Sequence, residues 1–391
     1  MKTFALLFAL FVVGCSCHEV IELNCSRDLR TQIESAPAHS ELVADPTCQW
    51  TVRKMIRVRR PVTIRGLHAK LGSGIGNVPL MSVQSEGFTM TDFEFIGNVG
   101  TVAFKDREPL IWVTRGGFSI ERGIMRDSSQ NGITIQPMKS HQYDIVGGVV
   151  RDLVGYSNAR DLVSITGYGS GEAVARNIVA ENLRAYDQIE RGTIEVTDGA
   201  KDVFIRDIYA ENCFYAAALQ DHDEFTPDSG AHVNRVFISN VIATRCTFAI
   251  HSEAFIAGHG DITINGVVAR ACKNAVLLDR MNRLVLSDVK VLNGRNQSTQ
   301  VDIAHAKYVT LRDIHFFGGV GRSSAITLRQ VEKARVFGVT LGDDTKFKYG
   351  ITVNATVGKT KAFSTLEFDS TDLEAARNQE IRYYRFYGDG S

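Results

Sequence analysis

One six-residue pattern governs what this chain can fold into. Val203-Phe204-Ile205-Arg206-Asp207-Ile208 is echoed by Val236-Phe237-Ile238-Ser239-Asn240-Val241, Ile262-Thr263-Ile264-Asn265-Gly266-Val267, Leu284-Val285-Leu286-Ser287-Asp288-Val289 and Val309-Thr310-Leu311-Arg312-Asp313-Ile314. Alternation with period two puts the branched residues on one face and the polar ones on the other, as in a β-strand. The Asn, Asp or Gly at the fifth position marks a corner, because these residues best tolerate left-handed backbone angles. A shorter alternating strand recurs in the same units, at 111–113, 133–135, 163–165, 194–196, 217–219, 276–278, 301–303 and 326–328. The units are roughly 23 to 33 residues long, a solenoid period. Helical periodicity is missing, and neither the hairpin-rich units of a β-propeller nor a leucine-rich frame fits. The expectation is an all-β chain forming a single right-handed parallel β-helix, each unit one coil around a closed apolar core.

The flanks set the boundaries. Lys2 precedes the apolar run Phe4 to Val13, followed by Gly14, Cys15, Ser16 and Cys17, which reads as a signal peptide over 1–17. Val12-Val13-Gly14-Cys15 has the form of a lipobox that would leave Cys15 acylated; cleavage after Cys17 fits as well. The protein is therefore expected to be secreted, periplasmic or held at the cell surface. No stretch approaches the roughly 20 apolar residues of a membrane span. Residues 18–60 read as an N-terminal cap with one short helix over Arg27–Ser35, and 61–358 as the β-helix. Residues 359–391, with Tyr383, Tyr384, Phe386 and Tyr387, read as a C-terminal cap or tail.

Lys+Arg and Asp+Glu number 44 each, so there is no general basic field for nucleic acid. A monomer is expected. Cys25 and Cys48 bracket the cap and could pair in an oxidising compartment. Cys213, Cys246 and Cys272 each precede a short strand in consecutive units and read as a ladder of small buried residues. Metal-type Cys and His spacing is absent.

Outward side chains of successive coils form rows one strand spacing apart. Reading the short strands in order gives Glu195 and Asp198, then Gln220, Asp221, His222 and Asp223, then His251 and Glu253, then Asp279 and Arg280, then Asp302 and His305, then Arg329. Titratable groups thus concentrate on a few adjacent coils. The longest unit carries the insertion Glu224 to His232 beside them, where a loop could wall a groove for an extended chain ligand. No cofactor is required by these residues, although Glu195, Asp198 and Asp221 offer hard oxygen ligands that could converge on a Ca2+ ion.

At these residues a resemblance arises. The repeat architecture resembles the pectin-lyase-like superfamily over nearly the whole mature chain. More narrowly, Gln220-Asp221-His222-Asp223, then Ile250-His251-Ser252-Glu253, then Leu278-Asp279-Arg280 is similar to three consecutive coils of bacterial alginate (mannuronan) C5-epimerases, with Gln220 and Asp221 in place of the motif's Asp and Pro. The resemblance implies a polyuronate-modifying enzyme acting by C5 proton abstraction, an epimerase or a β-elimination lyase. His222 would be the base, Arg280 the carboxylate clamp, and Asp221 or Asp223 the orienting group. Glu195, Gln220, His251, Glu253, Asp279 and Arg329 would bind a polysaccharide, acidic in this reading. Glu195, Asp221 with Asp223, His251 and Arg280 also repeat the order of groups in polygalacturonases, which implies hydrolysis as the alternative. A non-catalytic glycan-binding or structural surface protein is the third reading.

Overall fold

The computed structural model describes residues 19–354, apart from 74, 77, 139–142, 168–172, 222–231, 255–257, 296–298, 320–323, 343, 346 and 348, together with 365–368. Two parallel sheets, of 16 and 12 strands, run the length of the molecule, each strand pairing with its counterpart one coil away. The short strands, such as Ile194–Thr197 and Tyr215–Asp221, build the 12-stranded sheet. The six-residue pattern lies inside longer strands such as Lys201–Glu211 and Asn234–Thr244, which build the other. Val203, Ile205, Ile208 and Ala210 from one sheet meet Ile194, Val196, Ala217 and Leu219 from the other, all buried. The chain is thus a parallel β-helix, as its periodicity predicts.

The expected corner column forms. Register aligns Asp207, Asn240, Gly266, Asp288 and Asp313, and the four non-glycine members have φ of 50–59°. Asn240 Nδ2 donates to Asp207 Oδ1 at 3.0 Å, tying one corner to the next. A second column at the strand ends contains Asp187, Asn212, Arg245, Ala271 and Asn293, and a third at the strand starts contains Gly147, Asn177, Asp202 and Arg235, all with positive φ. The sequence pattern does not reveal these two, because Arg and Ala stand where Asn, Asp or Gly is the usual signal. A left-handed arginine costs about 1–2 kcal/mol. Several left-handed arginines reach back to the preceding corner: Arg122 of the first column grips Asp92 at 2.7 and 3.0 Å, and Arg235 of the third grips Asp202 at 2.5 and 2.7 Å. These pairs are exposed and offset only part of that cost.

The cysteine ladder is present. Cys213, Cys246 and Cys272 are buried free thiols on consecutive coils. Hydrogen bonding to Cys246, reinforced by burial, holds Cys213 and Cys272 far above the ordinary thiol range. Cys25 and Cys48 form a disulfide with Cα atoms 5.7 Å apart. The helix spans Leu29–Ser35, starts where Asp28 accepts from Thr31 N at 2.8 Å, and buries Leu29 and Ile33. It packs on Trp50–Val52 and Ile56–Val58, covering the open end of the coil stack. Parallel pairing already includes Val20–Leu23 with Glu41–Ala44 and Glu41–Val43 with Thr63–Arg65, so no change of pairing marks residue 60. Thr365–Phe368 adds a strand beside Lys333–Val336; the remainder of 359–391, and all of 1–17 with Cys15, lie outside the described residues. Among the described residues no helix is long and apolar enough to cross a membrane.

Candidate functional site

Strand alternation decides which side chains the 12-stranded sheet shows outward. One outward row runs through Ser164, Glu195, Ala218, His251, Leu277 and Asp302. A neighbouring row contains Thr197, Gln220 and Glu253, and a further stretch of it Asp279, Ala304 and Arg329. Between them opens a groove of about 510 Å³, lined by Glu190, Arg191, Phe214, Tyr215, Gln220, Phe248, His251, Ser252, Glu253, Leu277, Asp279 and Arg329.

His251 sits in an aromatic setting at the groove floor. Its ring lies parallel to Tyr215 with centroids 6.0 Å apart, and is 4.7 Å from Phe248 and 5.7 Å from Phe214. Burial, followed by the nearby Arg191 cation, pushes its pKa down to about 4, so the imidazole is neutral at pH 7. Among the described residues its buried Nδ1 has no hydrogen-bond partner, which is uncommon enough to require a reason.

Beneath this floor lies a charge network. Arg191 Nη1 donates to Glu195 and, at 2.7 Å, to Gln220 Oε1. The other Glu195 oxygen accepts from Ser164 Oγ at 3.1 Å and lies 4.0 Å from Arg160 Nη2. Asp161 is fully buried and accepts from Gly192 N at 3.2 Å. Burial raises its carboxyl pKa, opposed by Arg191 and Arg160. The Tyr215 hydroxyl lies beside Asp161 and Arg191 without meeting hydrogen-bond geometry to either. Burial and Asp161 together push it well above the ordinary tyrosine range. Two carboxylates therefore balance two guanidiniums and fix Arg191 at the groove edge. A Cβ at Gly192 would collide with the Tyr215 carbonyl, so only glycine lets this aromatic residue stack below Asp161.

The site residues expected from sequence fall into three groups. Gln220, His251, Glu253, Asp279 and Arg329 line the groove, and Glu195 anchors Arg191 behind it. Asp221 and Arg280 do not line it. Asp221 is buried at its strand end, in the alternation phase of Ala217 and Leu219 rather than that of Gln220. Arg280 occupies the turn between Asn274–Asp279 and Met281–Gly294 with φ 54°, its Nε 3.8 Å from Asp279 Oδ2. His222 and Asp223 lie outside the described residues. Asp279 also meets His305 Nδ1 at 2.5 Å, and Arg329 makes two 3.0 Å bonds to Asp302. Of the oxygen donors considered for Ca2+, Glu195 is committed to Arg191 and Ser164. The described residues hold no cluster of three or more metal-ligating His, Cys, Asp or Glu side chains.

Sequence reading missed Arg160, Asp161 and Arg191, which precede their short strands, and Tyr215, which opens its own. Aligning two to three residues before each strand stacks Arg160 on Arg191 and Asp161 on Gly192 and Tyr215. That register was available.

His259 is buried like His251, and burial likewise lowers its pKa to about 4. In the unfolded chain both titrate near 6.5, so between pH 6.5 and 4 the unfolded state binds more protons and stability rises with pH. Denaturant titrations should show stability falling from pH 7 to pH 4 by up to about 3 kcal/mol per histidine. His259→Gln should flatten that slope; an unchanged slope would refute the assignment.

No protein-family model and no curated protein sequence matches this chain. Solved structures do. The A-module of the Azotobacter vinelandii mannuronan C-5 epimerase AlgE4 superposes with a TM-score of 0.59 at 11% identity, covering 84% of this chain and 91% of that one. The Yersinia enterocolitica family 28 exopolygalacturonase gives a TM-score of 0.52 at 9% identity, covering 90% and 77%. At such identity the likeness is one of fold, and this chain is a right-handed parallel β-helix built as those two proteins are.

Proposed function

We propose that the protein is an exported, polysaccharide-active enzyme that lays an extended acidic glycan along the 12-stranded sheet and abstracts the C5 proton of a uronate. The carrying observation is the neutral His251 imidazole, its Nδ1 unpartnered, beside Arg191 in an aromatic-lined groove. Aromatic faces suit the apolar faces of sugar rings, and Gln220, Glu253 and Asp279 suit their hydroxyls. The fold neighbours, an epimerase of mannuronan and an exopolygalacturonase, support a glycan ligand.

In this reading the imidazole takes the C5 proton, and the C–H electron pair moves into the uronate carboxylate. A cation at the groove edge, Arg191 or Arg329, stabilises that charge. Return of a proton from the opposite face gives the epimer; departure of the C4 oxygen gives an unsaturated sugar. His222, on the Gln220 coil, is the competing base. Hydrolysis is the second reading, favoured by Glu253 and Asp279 facing the same groove from consecutive coils.

Incubation with polymannuronate, polygalacturonate and a neutral glucan in D2O tests this. Deuterium at C5 or unsaturated ends in a polyuronate is the expected result. Reducing ends without either would establish hydrolysis, and no product from any polymer would leave binding alone.

A further inference from the structure

The groove is not the end of its row. Continuing toward the N-terminus, the row that holds His251, Ala218, Glu195 and Ser164 passes through Thr134, Trp112 and Ser82 to Arg57. Arg57 belongs to a dense cationic run in a chain without net charge: Arg53, Lys54, Arg57, Arg59 and Arg60 fall within eight positions. Two hollows of about 650 and 410 Å³ open there and share Arg30, Arg53 and Lys54, and the second also reaches Arg57. The nearby acids are already engaged. Asp28 caps the helix through Thr31, while Glu34 pairs with Arg30 at 2.8 Å and accepts from Arg57 N at 2.9 Å. Arg53 and Lys54 are exposed, and neither they nor Arg57 forms an ion pair among the described residues.

We propose that this cationic end is a remote subsite for the same polymer, so that an anionic chain seated at His251 continues along the sheet to Arg57, Arg53 and Lys54. Seven strand spacings separate Arg57 from His251, about 34 Å at the usual interval. Between them the row carries the small side chains of Ser82, Thr134 and Ser164 and the buried carboxylate of Glu195, whose charge Arg191 and Arg160 offset. Trp112 is part-exposed, with an Nε1 that lacks a hydrogen-bond partner among the described residues, and offers a stacking face along the way. Repeating carboxylates would match a cluster of unpaired cations, which concentrates such a ligand at one end of the groove. The inference rests on the reading of an acidic glycan along this sheet. It adds chain-length selectivity: only polymers long enough to span both regions gain the second contact.

The test compares the full chain with its R53Q/K54Q/R57Q variant, and with R53Q/K54Q in case half-buried Arg57 is needed for folding. The ligands are long polygalacturonate, trigalacturonate, and phosphatidylglycerol vesicles. Affinity for the long polymer should drop on the order of tenfold at low salt, and with it most of the salt dependence, while trigalacturonate affinity stays unchanged. Equal affinity of variant and parent for the long polymer would overturn the subsite and leave the groove reading standing. Loss of vesicle binding alone would assign the patch to a lipid surface and also overturn it. Patch-dependent polymer binding without trigalacturonate binding would remove the groove reading and keep the subsite. A parent protein that binds no polyuronate would remove both.

Discussion

His251→Gln should lower kcat on a polyuronate by about 10²–10⁴-fold, the usual contribution of a positioned general base, while polymer affinity changes by less than about threefold. Glutamine keeps much of the ring's length and its capacity for hydrogen bonding but cannot take a proton. The aromatic wall of Phe214 and Phe248 stays in place to hold the sugar. The effect therefore belongs in kcat, with KM nearly unchanged. A base whose pKa is held near 4 is weak when the groove is empty. A substrate carboxylate beside Arg191 would offset that cation, the lesser of the two causes of the shift after burial. Single-turnover proton exchange at C5, followed by NMR, reads this directly. If His251→Gln exchanges at the parental rate and His222→Gln does not, the base is His222. If both exchange normally and Glu253→Gln abolishes reducing-end formation, the groove hydrolyses.

How far the sequence reaches toward this picture depends on which physical signal each part carries. The coil and its first corner column were legible because strand alternation and left-handed backbone angles restrict residue choice locally: Asp207, Asn240, Asp288 and Asp313 could be aligned without knowing what they touch. The corners at Arg235, Arg245 and Ala271 were not legible, since partners such as Asp202 stand one coil back and some 30 residues earlier. The groove was half legible. Gln220, His251, Glu253, Asp279 and Arg329 follow from strand phase alone. Asp221 and Arg280 were expected beside them because they adjoin them in sequence, yet a single step along a strand turns a side chain to the other face, and Arg280 stands in the following turn. The Arg160, Asp161, Arg191 and Tyr215 network was hidden for a different reason. Each member looks ordinary within its own unit, and only stacking of the residues at and ahead of the strand starts makes them one cluster.

That cluster sets the second large effect. Asp161→Ala should cost about 3 kcal/mol of stability, the lower end of the range for removing one partner of a buried ion pair, because Arg160 and Arg191 keep side-chain exposures of 23% and 22%. Alanine would leave the Gly192 N–H without its acceptor and two guanidiniums facing each other with only Glu195 between them. Asp161→Asn should cost less than half as much. Its amide oxygen can still accept from Gly192 N, and it removes the burial penalty that raises the Asp161 carboxyl pKa, in exchange for the lost attraction to both arginines. Urea midpoints should fall in that order with the slope unchanged, as expected when stability but not the extent of unfolding is altered. Equal losses for alanine and asparagine would show that the charge, not the hydrogen bond, holds the network. No loss for alanine would mean that Arg191 and Tyr215 are fixed without Asp161. In the expected case Asp161→Ala should also reduce groove affinity, since Arg191 and Tyr215 both line it and Tyr215 carries the face on which His251 rests.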